Sequence, residues 1–80
     1  MNQQEFQSLM TMAKSMQSTD PEKSDYWVGF QRGLRRLYHG KNFGTAAEHE
    51  KWMNCADGEY RQQLQDGYRI GYNQGKKSHE

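Results

Sequence analysis

Four glycines, Gly29, Gly33, Gly67 and Gly71, fall inside stretches whose large apolar residues recur every three or four positions, the spacing of an amphipathic helix. A glycine in a helix interior costs about 1 kcal/mol relative to alanine, so the four together cost a sizeable part of what holds a small domain folded. Some tertiary contact must offset that. At about 100° per residue, Gly33 projects between Tyr26, Phe30 and Leu37, while Gly67 and Gly71 project beside Tyr60 and Leu64. The glycines therefore lie on apolar faces. The reading that accounts for them is that two helices cross where their smallest residues meet, backbone against backbone, with aromatic rings over the gaps. In the competing reading Gly67 follows Asp66 in a turn and Gly75 is only a C-terminal stop. The membrane form of such a contact needs an apolar run of about 20 residues. A chain with a mean hydropathy of −1.30 has none, and the same lack speaks against a secretory signal.

The periodicity divides the chain into four helices. From Asn2 to Gln17, Phe6, Leu9, Met10, Ala13 and Met16 form one stripe, which predicts helix 1 over 2–17. Ser18-Thr19-Asp20-Pro21-Glu22 reads as a linker and restart, with Thr19 or Asp20 as cap and Pro21 at the first helical position. Helix 2 is expected over 21–39, with Tyr26, Phe30, Leu34, Leu37 and Tyr38 on one side and Gly40 as a left-handed stop. Thr45-Ala46-Ala47-Glu48 has the capping-box pattern and opens helix 3 over 45–56, carrying Ala47, Trp52, Met53 and Ala56. Asp57 is placed to cap helix 4 over 58–74, with Tyr60, Leu64, Tyr68 and Ile70 as its larger apolar groups, and 76–80 is a polar tail. Nothing alternates with period two. The expectation is a single all-α domain over 1–80, a small bundle of three to four helices joined by close glycine-mediated packing.

The core is marginal. Only nine of the 80 residues are Phe, Leu, Ile or Val, below the roughly 20% that often marks disorder. Five Tyr, two Trp and five Met supply the missing apolar area, and a net charge of +1 is too small to drive self-repulsion. With so little core to spare, dimerisation or a bound partner is an expected source of further stability. Tyr26-Trp27-Val28-Gly29-Phe30-Gln31-Arg32-Gly33 also echoes Tyr68-Arg69-Ile70-Gly71-Tyr72-Asn73-Gln74-Gly75, 42 residues later. Two weak copies do not make a solenoid and point instead to similar local geometry.

Charge and motif narrow the function classes. Eleven Lys and Arg balance ten Asp and Glu, which speaks against bulk electrostatic capture of nucleic acid. His39, His49, Cys55 and His79 match no structural zinc spacing, and His49 and Cys55 turn to opposite sides of a helix, so neither a metal centre nor a thiol–base pair is expected. No phosphate-binding loop or nucleophile elbow occurs, so no catalysis and no cofactor are expected. The lone Cys55 fits a reducing compartment, hence a cytoplasmic protein. Arg32, Arg35, Arg36, His39 and Lys41 form the one dense basic patch, and Trp27, Tyr38, Trp52 and Tyr72 are hard to hide in so small a domain. Arginine beside exposed rings is the composition of an interface. Trp27, Arg32, Arg35, Arg36, Tyr38 and Lys41 are therefore the candidate partner-binding residues. Set against this is the plain reading of cations at a helix C-terminus on a solvated face.

The segment Tyr26 to Arg36, followed by His39-Gly40 and Phe43-Gly44-Thr45, resembles small uncharacterised bacterial proteins found among phage and other mobile-element genes. The resemblance spans roughly 25–75 and assigns no residue a role. Such accessory proteins, anti-CRISPR inhibitors among them, typically act by binding a host complex without catalysis. The resemblance thus implies a non-catalytic protein-binding module. Direct nucleic-acid binding through the basic face of helix 2 and a structural homodimer are the alternatives; a helix-turn-helix built from helix 2, the Gly40 turn and helix 3 is opposed by Glu48, Glu50 and Asp57, which would repel phosphates.

Overall fold

The computed structural model describes residues 2–40, 44–54 and 59–74, and among them the chain is all-α, with no strand. Four α-helices follow one another as α1 (Gln3–Thr19), α2 (Ser24–His39), α3 (Ala46–Asn54) and α4 (Glu59–Tyr72). A single 3₁₀ turn, Pro21–Lys23, separates the first two. The bounds follow local chemistry. Asn2 caps α1 by accepting from the Glu5 amide at 2.8 Å, and Thr45 Oγ1 accepts from the Glu48 amide at 3.1 Å, the first half of the expected capping box.

Helix 1 overruns its expected end at residue 17, because Thr19 folds its hydroxyl back onto the Ser15 carbonyl at 3.1 Å instead of capping the next helix. Asp20 does not cap with its side chain either, and Pro21 opens the 3₁₀ turn, so α2 proper begins at Ser24 and not at residue 21. Gly40 stops α2 with a positive φ of 61°, but its ψ of −133° lies outside the left-handed helical well. Asp57, Ala56, Cys55, Lys41, Phe43 and the 76–80 tail lie outside the described residues.

Helix α2 is the centre of the molecule. It packs on α1 on one side and, most extensively, on α4 on the other, while α3 rests on α4. Helices α1 and α2 are antiparallel: Gln17 near the end of α1 meets Gln31, and Phe6 near its start stacks on Tyr38 with ring centroids 4.3 Å apart. Met10, Ala13, Phe30 and Leu34 form the core between them, flanked by Phe6, Leu9 and Trp27. Phe6, Met10, Ala13 and Gln17 lie on one line of α1. Met16 sits at its edge and is 37% exposed, so the expected stripe ends on Gln17, which accepts from the Gln31 side chain at 2.8 Å.

The α2–α4 contact is made by the glycines. All four are buried. A methyl at Gly29 would strike the Leu64 carbonyl and one at Gly33 that of Tyr68, while on the other helix Gly67 abuts the Tyr26 carbonyl and Gly71 that of Phe30. The contacts advance in the same direction along both helices, so α2 and α4 run parallel. They are also reciprocal: Gly29 does for α2 what Gly67 does for α4, and Gly33 what Gly71 does. A local two-fold relates the pair, one helical turn out of register with the sequence echo, which had set Gly29 against Gly71. Glycine hydrogens facing carbonyl oxygens at this separation form the Cα–H···O contacts of closely packed helices. Ile70 falls off this face and is 43% exposed, contrary to its expected place among the packed apolar groups of helix 4.

Candidate functional site

Of the six residues singled out in sequence, the five described do not share one surface. Tyr38 is half-buried and stacked on Phe6 of α1, while Trp27, also half-buried, meets Phe30 edge-on at 5.3 Å and lies beside Gln63 and Asp66 of α4. Lys41 lies outside the described residues. Arg35 and Arg36 are half-buried, and Arg32 is exposed. Arg32 and Arg36, one turn apart, lie on the side of α2 nearest α3 and α4. The guanidinium of Arg32 sits 5.5 Å from the centre of the Trp52 ring, within cation–π range, and the charge of Arg36 acts on His49 and Tyr68.

These groups border a cleft of about 200 Å³ where α2, the start of α3 and α4 converge, lined by Arg32, Gly44, Thr45, Glu48, His49, Trp52 and Tyr68. Helix α3 supplies its side chains from one face, since Thr45, Glu48, His49 and Trp52 are spaced by three and four. Helix α4 supplies the floor. Tyr68 is only 3% exposed, stacks on Trp52 at 5.7 Å with an interplanar angle of 17°, and bonds His49 Nδ1 through its hydroxyl at 2.7 Å. The far end of α3 is pinned as well: the Met53 carbonyl accepts from Gln65 Nε2 at 2.9 Å and from Arg69 Nε at 2.6 Å, which satisfies an orphan carbonyl at the helix C-terminus with a cation near it.

The electrostatics keep both partners of the His49–Tyr68 bond uncharged. Burial pushes the Tyr68 phenol up to about 12, against a smaller opposing pull from Arg36, so the hydroxyl keeps its hydrogen at every physiological pH. Burial also lowers His49, and the positive charge of Arg36 lowers it further, while Glu50 pulls the other way and is outweighed. A neutral imidazole hydrogen-bonded to a neutral phenol is the arrangement both shifts favour, and the tautomer of the ring decides which of the two donates. Tyr26 is likewise raised, by burial and by the nearby Asp66 carboxylate.

The cleft offers one exposed guanidinium, one half-buried indole, a carboxylate and a hydroxyl at its rim, and a buried phenol–imidazole pair. Among the described residues no three His, Cys, Asp or Glu side chains converge as a metal site would require, and no helix is long and apolar enough to cross a membrane. Sequence reasoning singled out Trp52 as an aromatic hard to hide but did not join it to Arg32, and it weighed His49 only as a metal ligand or a base for Cys55. The shared three-and-four spacing of Thr45, His49 and Trp52 was the available signal. No known protein family, no curated protein and no solved structure matches the chain.

Proposed function

We propose that the chain is a non-catalytic, cytoplasmic binding module for another protein, and that its contact is centred on Arg32 and Trp52 rather than spread along the whole of α2. The observation that carries this is the exposed Arg32 guanidinium held over the Trp52 ring at the mouth of the cleft. Arginine and tryptophan are the residue types most enriched among interface hot spots. Ordering the arginine on the ring beforehand also removes part of the side-chain entropy that binding would otherwise cost. The planar fork suits a carboxylate of the partner, with the indole edge beside it for an apolar neighbour. Following the resemblance of roughly 25–75 to phage and mobile-element proteins, the partner class is a host nucleic-acid-processing complex that the module inhibits.

The test compares wild type with Arg32→Glu as bait in bacterial lysate, with and without nuclease treatment. Capture of a protein component by wild type, lost in the variant while far-UV circular dichroism stays unchanged, supports the reading; undiminished capture by the variant overturns it. Direct nucleic-acid binding through the same arginines is the other outcome, betrayed by capture that disappears on nuclease treatment and by an affinity that falls steeply with salt. Self-association finds some support in the exposed Met12, Met16 and Ile70 side chains, and light scattering across a dilution series would reveal it.

A further inference from the structure

Helix α3 is the least anchored element of the molecule. It rests on α4 alone among the helices that pack extensively, and most of its residues are exposed. Its attachments include the Met53 carbonyl at its C-terminal end, Trp52 stacked on Tyr68 and under Arg32 of α2, and near its start the His49 ring, bonded to Tyr68 and packed against Tyr72. Of these only the last includes a group that changes charge near neutral pH.

We propose that His49 and Tyr68 form a pH-sensitive latch that holds the first turns of α3 against α4 while the histidine is neutral and releases them when it takes up a proton. The atoms define the mechanism. In the latched state neutral His49 carries its hydrogen on Nε2, so that Nδ1, 2.7 Å from the Tyr68 hydroxyl, offers a lone pair to a phenol that keeps its hydrogen throughout the relevant range. Protonation puts hydrogens on both ring nitrogens. Two donors then face each other at 2.7 Å, and the contact survives only if the phenol turns its hydrogen elsewhere, from a position 3% exposed. The charged ring also gains repulsion from Arg36, with Arg32 across the cleft on the same helix. Glu50 on α3 itself acts against release, Glu48 lines the same cleft, and the Tyr72 ring of α4 lies 4.5 Å from the imidazole. Burial and the Arg36 charge together outweigh Glu50 and hold His49 below its ordinary value.

The sign follows. Because the folded protein binds the His49 proton less readily than the unfolded chain does, the latch contributes fully above the ordinary histidine value of 6.5 and is lost as pH falls through the lower value of His49. Release moves Trp52 away from Tyr68 and from Arg32. On the reading that these two residues are the binding site, which this inference adopts for its functional consequence, the module would hold its partner at neutral pH and loosen its grip under acid conditions.

The experiment uses the wild-type chain with no partner present. Nuclear magnetic resonance follows the His49 ring, the Trp52 and Trp27 indole N–H signals and backbone amide exchange from pH 8 to pH 5. The expected result is a His49 midpoint below 6.5, a Trp52 signal that moves with the same midpoint, and a Trp27 signal that does not. Amide protection over 48–53, corrected for intrinsic exchange, should fall at least fivefold between pH 7.5 and 5.5, while that over 29–34 holds. In His49→Gln, which keeps an acceptor but cannot titrate, the Trp52 transition should vanish. A Trp52 signal indifferent to the His49 titration, or unchanged α3 protection in wild type, overturns the latch whether or not the glutamine variant folds. Neither readout involves a partner, so a latch that works beside an Arg32→Glu variant that still captures its target would sink the binding site alone.

Discussion

At the scale of single residues, size and proton occupancy decide most of what this chain does. The cost of an extra methyl at Gly33 or Gly71 can be argued directly. Alanine gains about 1 kcal/mol of helix propensity at an exposed site, but here its Cβ would overlap the carbonyl of Tyr68 or Phe30, and backbone cannot swing aside as a side chain can. Overpacking of this kind costs roughly 1–3 kcal/mol or more, so the net effect is destabilising in both variants. Gly33→Ala and Gly71→Ala should each lower Tm by roughly 10 °C in a domain of this size; a rise in either would show that the helices are not in contact there. Tyr68 yields a second expectation with its own sign. A phenol raised in the fold stabilises fully below its ordinary value of 10.0 and progressively less as pH climbs toward about 12. Helicity should therefore decline between pH 10 and 12, and in Tyr68→Phe that part of the decline should be missing. The glycines were legible in sequence because a costly residue on an apolar face demands a compensating contact. Tyr68 was legible as packed but not as a hydrogen-bond donor, since its acceptor comes from another helix 19 positions away.

Elements add capping and register to these residue effects. The start of α3 was readable from Thr45 and Glu48, because a cap is local chemistry. Its other end was not, because the groups that cover the Met53 carbonyl, Gln65 and Arg69, belong to α4. Two donors on one acceptor make a redundant cap. Removing Arg69 by substitution with Gln leaves the amide of Gln65 in place and should cost about 0.5–1 kcal/mol; Gln65→Met with Arg69 retained should cost a similar amount. Only the double variant strips the carbonyl, so its loss should exceed the sum of the singles by about 1 kcal/mol, read from urea unfolding of the four proteins in a double-mutant cycle. Simple additivity would mean that the two donors serve the fold independently. Register was the harder matter. The echo between 26–33 and 68–75 identified the right helices but the wrong offset, since likeness of sequence set Gly29 against Gly71 whereas backbone packing pairs it with Gly67. The apolar stripe of α1 erred similarly at its end, where Gln17 lies on the line of Phe6, Met10 and Ala13 and takes the place expected for Met16.

For the whole molecule, the order across the bundle is α1, α2, α4, α3, so the central contact joins helices that are not consecutive in the chain. Periodicity cannot reveal such an order, and a parallel pair needs an intervening segment long enough to bring the chain back, a role that falls to the stretch containing α3. The basic face of α2 was expected to be one surface with Trp27 and Tyr38; sandwiching α2 between two helices divides it, leaving Arg32 beside α3, Tyr38 against α1 and Trp27 near Gln63 and Asp66 of α4. This arrangement also shows where stability is thinnest. The glycine contact brings backbones together but contributes little side-chain area, and Leu34 is the one large side chain among the described residues that is fully buried. Its neighbours Met10 and Ala13, with Phe6 and Leu9 beside them, all come from α1. A chain beginning at Asp20 would therefore keep the glycine crossing and the cap on α3 while exposing Phe30 and Leu34 to water, at roughly 1.5–3 kcal/mol for each large side chain no longer covered. Against a total of about 5–15 kcal/mol for an ordinary domain, and less for one this small, that loss is decisive. The truncated chain should lose most of its far-UV helical signal at 25 °C, and a synthetic peptide of residues 1–20 should restore it in a concentration-dependent way. Cooperative unfolding of the truncated chain by itself would place the core at the glycine crossing and reduce α1 to an accessory.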